Sequence, residues 1–307
     1  MIPNQMIKKT IIMKLIHLLF ILIFSISSAQ ENNILNRLSV LPNGGKIWYN
    51  IDGYSVTSEN FNYSFDEKGL KKVFRKHNIE DSDIKTKDNL IVYNNLYVSK
   101  QQKVNDHQSQ NNSYYFVENP NKTIDVIWFI KNGKTDTETE EKLVNAIVEN
   151  KIPKENYVPM KINAINFAGR TIELGNDCYW PFLNTVQCPY RGEMNWSVHK
   201  ILEDAKETIE NQLNNTKSQK GGKVTSEEIV NIEFEGVTTK AKKVIYDFTG
   251  VTSALAGMSG GKTLNIYYIA ENVRDRNISC VMSFWNNDDI NPKTKLPALL
   301  EKIISLK

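Results

Sequence analysis

Two stretches of this 307-residue chain echo each other, and the echo constrains the fold more than any other feature. "YYFVENPNKTIDVIWF", Tyr114 to Phe129, recurs as "YYIAENVRDRNISCVMSF", Tyr267 to Phe284, with Tyr-Tyr-x-x-Glu-Asn and then an apolar strand-like run in both. The offset is 267 minus 114, or 153 residues, which is too long for a solenoid repeat and suits two domains of one kind.

The flanking segments repeat in the same order. After the first echo comes a helical pattern, Thr137 to Asn150, with Leu143, Val144 and Ile147 on one face. After the second comes Thr294 to Leu306, with Leu299, Leu300, Ile303 and Ile304, and with Pro297 in the first turn. Upstream, "SFDEKGLKKVFRKHN" opens on Ser64 and Glu67 in a capping-box pattern and places Leu70, Val73, Phe74 and His77 at helical spacing. Its counterpart, "SVHKILEDAKETIENQLNN", stripes Val198, Ile201, Leu202, Ala205, Ile209 and Leu213. Between the helices lie strand-like runs: Leu90 to Val98, Tyr114 to Val117 and Ile124 to Ile130 in the first half. The second half has Ile229 to Phe234, Lys243 to Phe248, Leu264 to Ala270 and Ile278 to Trp285. The pattern predicts an α+β fold of two tandem β-α-β-β-β-α units, each an antiparallel sheet packed with helices, over residues 30–155 and 156–307.

The succession in the second half, "IVNIEFEGVTTKAKKVIYDF", a Gly/Ser loop, "LNIYYIAENVRDRNISCVMSF" and a closing helix, resembles the PsbP/DcrB/Mog1-like α/β sandwich domains. The resemblance covers about residues 163–307. It implies an exported domain and a binding or accessory role more than an enzymatic one, and it brings no catalytic motif to carry over.

The N-terminus points to export. Lys8, Lys9 and Lys14 precede the apolar run Leu18 to Phe24, followed by Ser25, Ser27, Ser28 and Ala29, the three-part pattern of a signal peptide cleaved after Ala29. A membrane anchor is the alternative, but Lys14 and His17 interrupt the run and leave it short of the ~20 apolar residues of a spanning helix. Cleavage leaves 307 minus 29, or 278 residues, enough for two domains. It also removes three lysines, so 38 minus 3, or 35, basic residues face 35 acidic ones. A balanced chain lacks the basic face a nucleic-acid partner needs, and no second apolar run gives a transmembrane segment. Many Lys, Asn and Ile codons suit an AT-rich bacterium, so the expected location is the periplasm or the exterior.

Motifs for chemistry are few. "AGMSGGKT", Ala256 to Thr263, satisfies the loose phosphate-loop pattern, but the alternating "LNIYYIA" after it predicts a strand where phosphate binding needs a helix N-terminus. His77 sits on a helix stripe, His107 in a polar segment and His199 in an expected first helical turn. Cys178, Cys188 and His199 could bind zinc only with a fourth ligand that is not evident, so a Cys178–Cys188 disulfide is favoured and no metal or cofactor is expected. Cys280 falls on an apolar strand face with Ile278, Met282 and Phe284 and reads as a buried thiol. A nucleophilic cysteine needs His199 nearby, no Gly-x-Ser-x-Gly occurs, and carboxylates such as Asp177 and Glu193 cannot be paired by sequence.

The second half alone carries an aromatic loop, residues 175–196. Its candidate ligand-binding residues are Tyr179, Trp180, Tyr190, Arg191 and Trp196, with Phe182 beside them. Aromatic faces among planar polar groups suit a glycan or peptide, whereas burial of Trp180 and Trp196 against the next helix would make the loop a small core. The expected function is an exported, non-catalytic binding or accessory protein of the bacterial cell envelope, its partner an envelope protein, peptide or glycan. The competing expectation is a secreted hydrolase with a site near Cys178 to His199.

Overall fold

The computed structural model describes residues 33–105, 108–250 and 261–307. The signal pattern of residues 1–29, His107 and the glycine-rich segment up to Gly260 lie outside them. A three-strand meander opens the chain: β1 (Ser39–Asn43), β2 (Lys46–Ile51) and β3 (Tyr54–Ser64). Its second turn is Asp52-Gly53, both residues at positive φ (49° and 75°), the backbone a two-residue hairpin requires. Helix α1 (Glu67–Lys76) follows, then β4 (Asn95–Asn105), β5 (Gln108–Glu118), β6 (Thr123–Asn132) and helix α2 (Thr137–Val148). These strands form one antiparallel sheet in the order β1-β2-β3-β6-β5-β4.

The second half opens on a separate hairpin, β7 (Ala164–Phe167) with β8 (Arg170–Glu173). A second meander comes next: β9 (Tyr179–Phe182), β10 (Thr185–Cys188) and β11 (Gly192–His199). Then come helix α3 (Leu202–Ser218), β12 (Gly222–Phe234), β13 (Val237–Phe248), β14 (Thr263–Val273), β15 (Arg276–Trp285), helix α4 (Ala298–Glu301) and β16 (Ile304–Leu306). The large sheet runs β16-β12-β13-β14-β15-β11-β10-β9. Read from its other edge, β9-β10-β11-β15-β14-β13 has the same meander, crossover and meander as β1-β2-β3-β6-β5-β4. Beyond β13 the second sheet adds β12, and at the matching edge of the first Thr86 makes a single antiparallel bridge to Tyr97 of β4.

The α+β expectation is therefore corrected. The fold is mostly antiparallel sheet, with about half of the described residues in strands, and the four α-helices given among them cover patches of the sheets without forming layers. Three strands, not one, precede the first α-helix of the first half, and five precede that of the second, the β7–β8 hairpin and the β9–β10–β11 meander. Ser197 to Lys200, expected in a helix, are strand end and bend, because β11 pairs with β15 from Glu193↔Ser283 to His199↔Asn277 and cannot leave the ladder earlier. The closing helix, expected from Thr294 to Leu306, shrinks to four residues. Ile304–Leu306 instead pair with β12 and satisfy that edge, while Leu299, Leu300, Ile303 and Ile304 are still buried. Asp66, not Ser64, caps α1, its carboxylate accepting from the Gly69 N–H at 2.7 Å. Leu90 and Val92 lie exposed in the loop before β4.

In the first sheet Tyr54, Tyr115 and Phe129 pack with Leu143 and Val144 of α2, and on the opposite face Phe61, Tyr114 and Phe116 pack with Val73 of α1. In the second, Val244, Tyr246 and Tyr268 meet Leu213 of α3. Its other face is closed by Phe167, Ile172, the two bonded cysteines, Trp196, Leu299 and Ile303. No helix among the described residues is long and apolar enough to cross a membrane.

The halves meet along a polar seam. The β2–β3 turn reaches the end of β11, where the Asp52 N–H donates to the Val198 carbonyl at 3.0 Å. Arg37 grips the Asp52 carboxylate through Nε at 2.8 Å and Nη2 at 3.0 Å, and both side chains are buried. Asn50 Oδ1 accepts from Asn184 Nδ2 at 3.1 Å and Ser197 Oγ at 2.9 Å. Trp48 stacks on Phe182 at 5.9 Å.

Candidate functional site

The aromatic loop divides in the structure. Cys178 and Cys188 are bonded (S–S 2.10 Å), pinning β9 to the end of β10, and Cys280 is a free, buried thiol that burial pushes well above its ordinary pKa. Tyr179 and Tyr190 stand in solvent at 47% and 61% exposure. The Tyr179 hydroxyl donates to Gln187 Oε1 at 2.6 Å, and the Tyr190 carbonyl accepts from the Asp289 N–H at 2.8 Å. Arg191 is held by Asp177 and touches Cys178 Sγ at 3.7 Å. Trp196 is buried at 4%, packed on Phe167 and Trp180, while Trp180 is half-buried and donates its indole N–H to the Pro159 carbonyl at 3.0 Å. The five candidate residues therefore do not converge. Only Trp180 and Trp196 share a cavity wall.

That wall belongs to a cleft between the two halves. A cavity of about 440 Å³ is lined by Leu38, Asn156, Trp180, Asn184 and Trp196 among others. A second, of about 680 Å³, is lined by His199, Lys200, Asn272, Arg274 and Asn277 among others. They meet at Asn36, Arg37, Val198 and Arg276. Clefts between domains are where ligand sites concentrate.

The cleft is basic, but most of its charge is already matched. Arg37 pairs with Asp52, and Arg274 with Glu235 at 2.6 Å. Lys200 lies 3.7 Å from both Asp136 and Glu138 at the start of α2. Arg276 differs: half-buried, it has no ion-pair or hydrogen-bond partner among the described residues. Its guanidinium lies against Gly169 of the β7–β8 turn, at φ 88°, and a side chain there would collide with it.

His199 ends β11 at the cleft, 2% exposed, with Nε2 at 2.8 Å from Ser279 Oγ and no hydrogen-bond partner at Nδ1. Burial, with Lys131 and Arg37 adding repulsion, pulls its pKa down to about 3. A Ser-His pair at this distance is half of a nucleophile and base, but no carboxylate orients Nδ1 and the ring is too weak a base near neutral pH. Cys178 is oxidised and offers no thiolate. Among the described residues no group of three or more His, Cys, Asp or Glu could hold a metal ion. From Thr263 the chain runs in strand β14, so a strand stands where phosphate binding needs a helix N-terminus.

Sequence reasoning missed Arg276, because its significance rests on the absence of a partner, which only the assembled cleft reveals. Its neighbours left one sign: Arg274-Asp275 is the tight turn of β14–β15, with φ of 51° and 57°, and it projects the following residue from the sheet end toward β7–β8.

No protein-family model and no curated protein sequence matches the chain. Among solved structures, the crystal structure of the di-domain ARO/CYC StfQ from the steffimycin biosynthetic pathway is similar at 11% identity, over 85% of this chain and 79% of that one, with a TM-score of 0.15.

Proposed function

We propose that this is an exported, non-catalytic binding or accessory protein of the bacterial cell envelope, built from a duplicated sheet unit, with its ligand site in the cleft between the two sheets. The observation that carries the reading is the cleft itself, walled by both halves and holding in Arg276 a cation with no ion-pair partner among the described residues. An intramolecular disulfide supports an oxidising compartment. The accessory domains that the second half resembles fit the same role.

Val198 lines both cavities where they meet, so Val198→Phe should block the cleft at its waist. The protein from residue 30 onward, dialysed and screened against a panel of sugars, peptides and small acids, should change its tryptophan fluorescence on binding, since Trp180 and Trp196 stand in the wall. The response should vanish in Val198→Phe with the circular dichroism unchanged. Binding that survives this substitution moves the site elsewhere, and turnover of ester, glycoside or peptide substrates by the wild type would favour the hydrolase instead.

A further inference from the structure

The chemistry of the cleft narrows its ligand, given that the cleft is the binding site. Four cations line its wider part, Arg37, Lys200, Arg274 and Arg276, against one carboxylate, Asp275. Three of the four are in ion pairs with Asp52, Asp136 and Glu138, and Glu235. Arg276 is left without an ion-pair partner among the described residues, and the Asp275 carboxylate stands outside these pairs. A site with one available guanidinium suits a single anionic group and gives no advantage to polyphosphates, sulfated chains or nucleic acid, which draw affinity from many unmatched cations.

The guanidinium presents a planar fork of N–H donors, which matches the two coplanar oxygens of a carboxylate. The remaining wall is mixed: apolar side chains such as Leu35, Leu38, Ile165 and Trp196, one carboxylate, Glu155, and a set of side-chain amides. Asn33, Asn36 and Asn166 line one cavity, Asn272 and Asn277 the other, and Trp180 adds a half-buried ring. Amides both donate and accept, as hydroxyl groups do, and an indole face covers the C–H face of a ring. We propose that the cleft binds a sugar bearing one carboxylate, a uronic acid in a short oligosaccharide, with the carboxylate on Arg276 and the hydroxyls on the asparagine amides.

The probes are di- and trisaccharides of galacturonate and of glucuronate, the matching neutral oligosaccharides, sodium sulfate, and a glutamate-containing tripeptide, titrated calorimetrically into the protein from residue 30 onward. A uronate should bind and its neutral counterpart should bind more weakly. Arg276→Gln should lower uronate affinity roughly tenfold to a hundredfold, the worth of a charge-assisted hydrogen bond. Arg276→Lys should restore part of it, and the melting temperature should stay the same because Arg276 supports no other group. Equal binding of neutral sugars, unaffected by Arg276→Gln but lost in Val198→Phe, keeps the cleft as a site and removes the carboxylate from it. Preference for the tripeptide, or sulfate binding as tight as uronate, overturns the sugar. No binding of any probe, while another compound still gives a response abolished by Val198→Phe, overturns this inference alone. No cleft-dependent response to anything overturns both.

Discussion

His199 carries a neutral imidazole into the seam, and its acidity can be read from outside. In the unfolded chain the ring takes up a proton near its ordinary value of 6.5, whereas in the folded protein burial delays this to about 3. Between those values the unfolded state holds more protons, so stability falls as the pH falls, by ~1.4 kcal/mol for each pH unit. The melting temperature should drop more steeply from pH 7 to pH 5 in the wild type than in His199→Gln. His77, half-buried and also pulled down, contributes the same sign to both proteins and cancels in the comparison. Parallel slopes would show that His199 meets solvent in the folded state. Glu140 has the opposite sense: burial outweighs the hydroxyls of Tyr54, Ser113 and Tyr115 and raises its carboxyl, so this group costs stability as the pH rises past 4.5.

Among the elements, period and turn chemistry decided what could be read in advance. The alternating runs Ile124 to Ile130 and Ile278 to Trp285 are strands β6 and β15, as their period-2 pattern implies. The opening meander was equally available, since Asn-Gly-Gly and Asp-Gly flank "KIWYNI", but polar residues interleave so densely there that no apolar run marks the strands. The end of the chain misled for a different reason. Leu299, Leu300, Ile303 and Ile304 satisfy helical spacing, yet the open edge of β12 takes the last of them into a strand, a tertiary demand that local spacing cannot express. The matched tyrosines show the same limit. Tyr114 faces α1 and Tyr115 faces α2, whereas Tyr267 faces α4 and Tyr268 faces α3, so corresponding strands present the shared motif with its faces exchanged. A one-residue change of register suffices for this. The stapled loop was legible in its covalent bond and not in its aromatics: Trp180 packs on Trp196, Phe182 stacks on Trp48, and the two tyrosines stand in solvent. Thiol counting checks the staple: without reductant the native protein should react with no alkylating agent at Cys280, the urea-unfolded protein with one equivalent, and the reduced, unfolded protein with three. Replacing Cys178 and Cys188 by serine should cost ~3 kcal/mol or less, measured by urea unfolding.

At the scale of the whole molecule, the buried Arg37–Asp52 pair makes the seam a folding unit as well as a contact. Asp52→Ala would strand a buried guanidinium and remove a carboxylate whose own backbone N–H holds β11, at a cost of ~3–5 kcal/mol. Chemical unfolding should show the loss in a single transition shared by near-ultraviolet circular dichroism and tryptophan fluorescence. If only one probe moves, the halves unfold separately. The two sheets account for most of the buried mass, and their existence was readable from strand patterns. The cleft was not, because its walls come from the β7–β8 turn, the end of β11 and the segment after Asn33, which nothing in local sequence brings together.

The turn at Asp52-Gly53 has a consequence in time. A methyl group on Gly53 would sit 2.9 Å from Thr208 Oγ1 and 3.1 Å from His199 Cε1, so the turn is seated against residues made almost half a chain later. During synthesis the first sheet has all of its own strands long before that seat exists, and the loop that must close between them is long and slow to find. The cleft is accordingly a late product of folding, completed only when the second sheet arrives. The protein acquires its shape in halves and the cleft between them in a single last step.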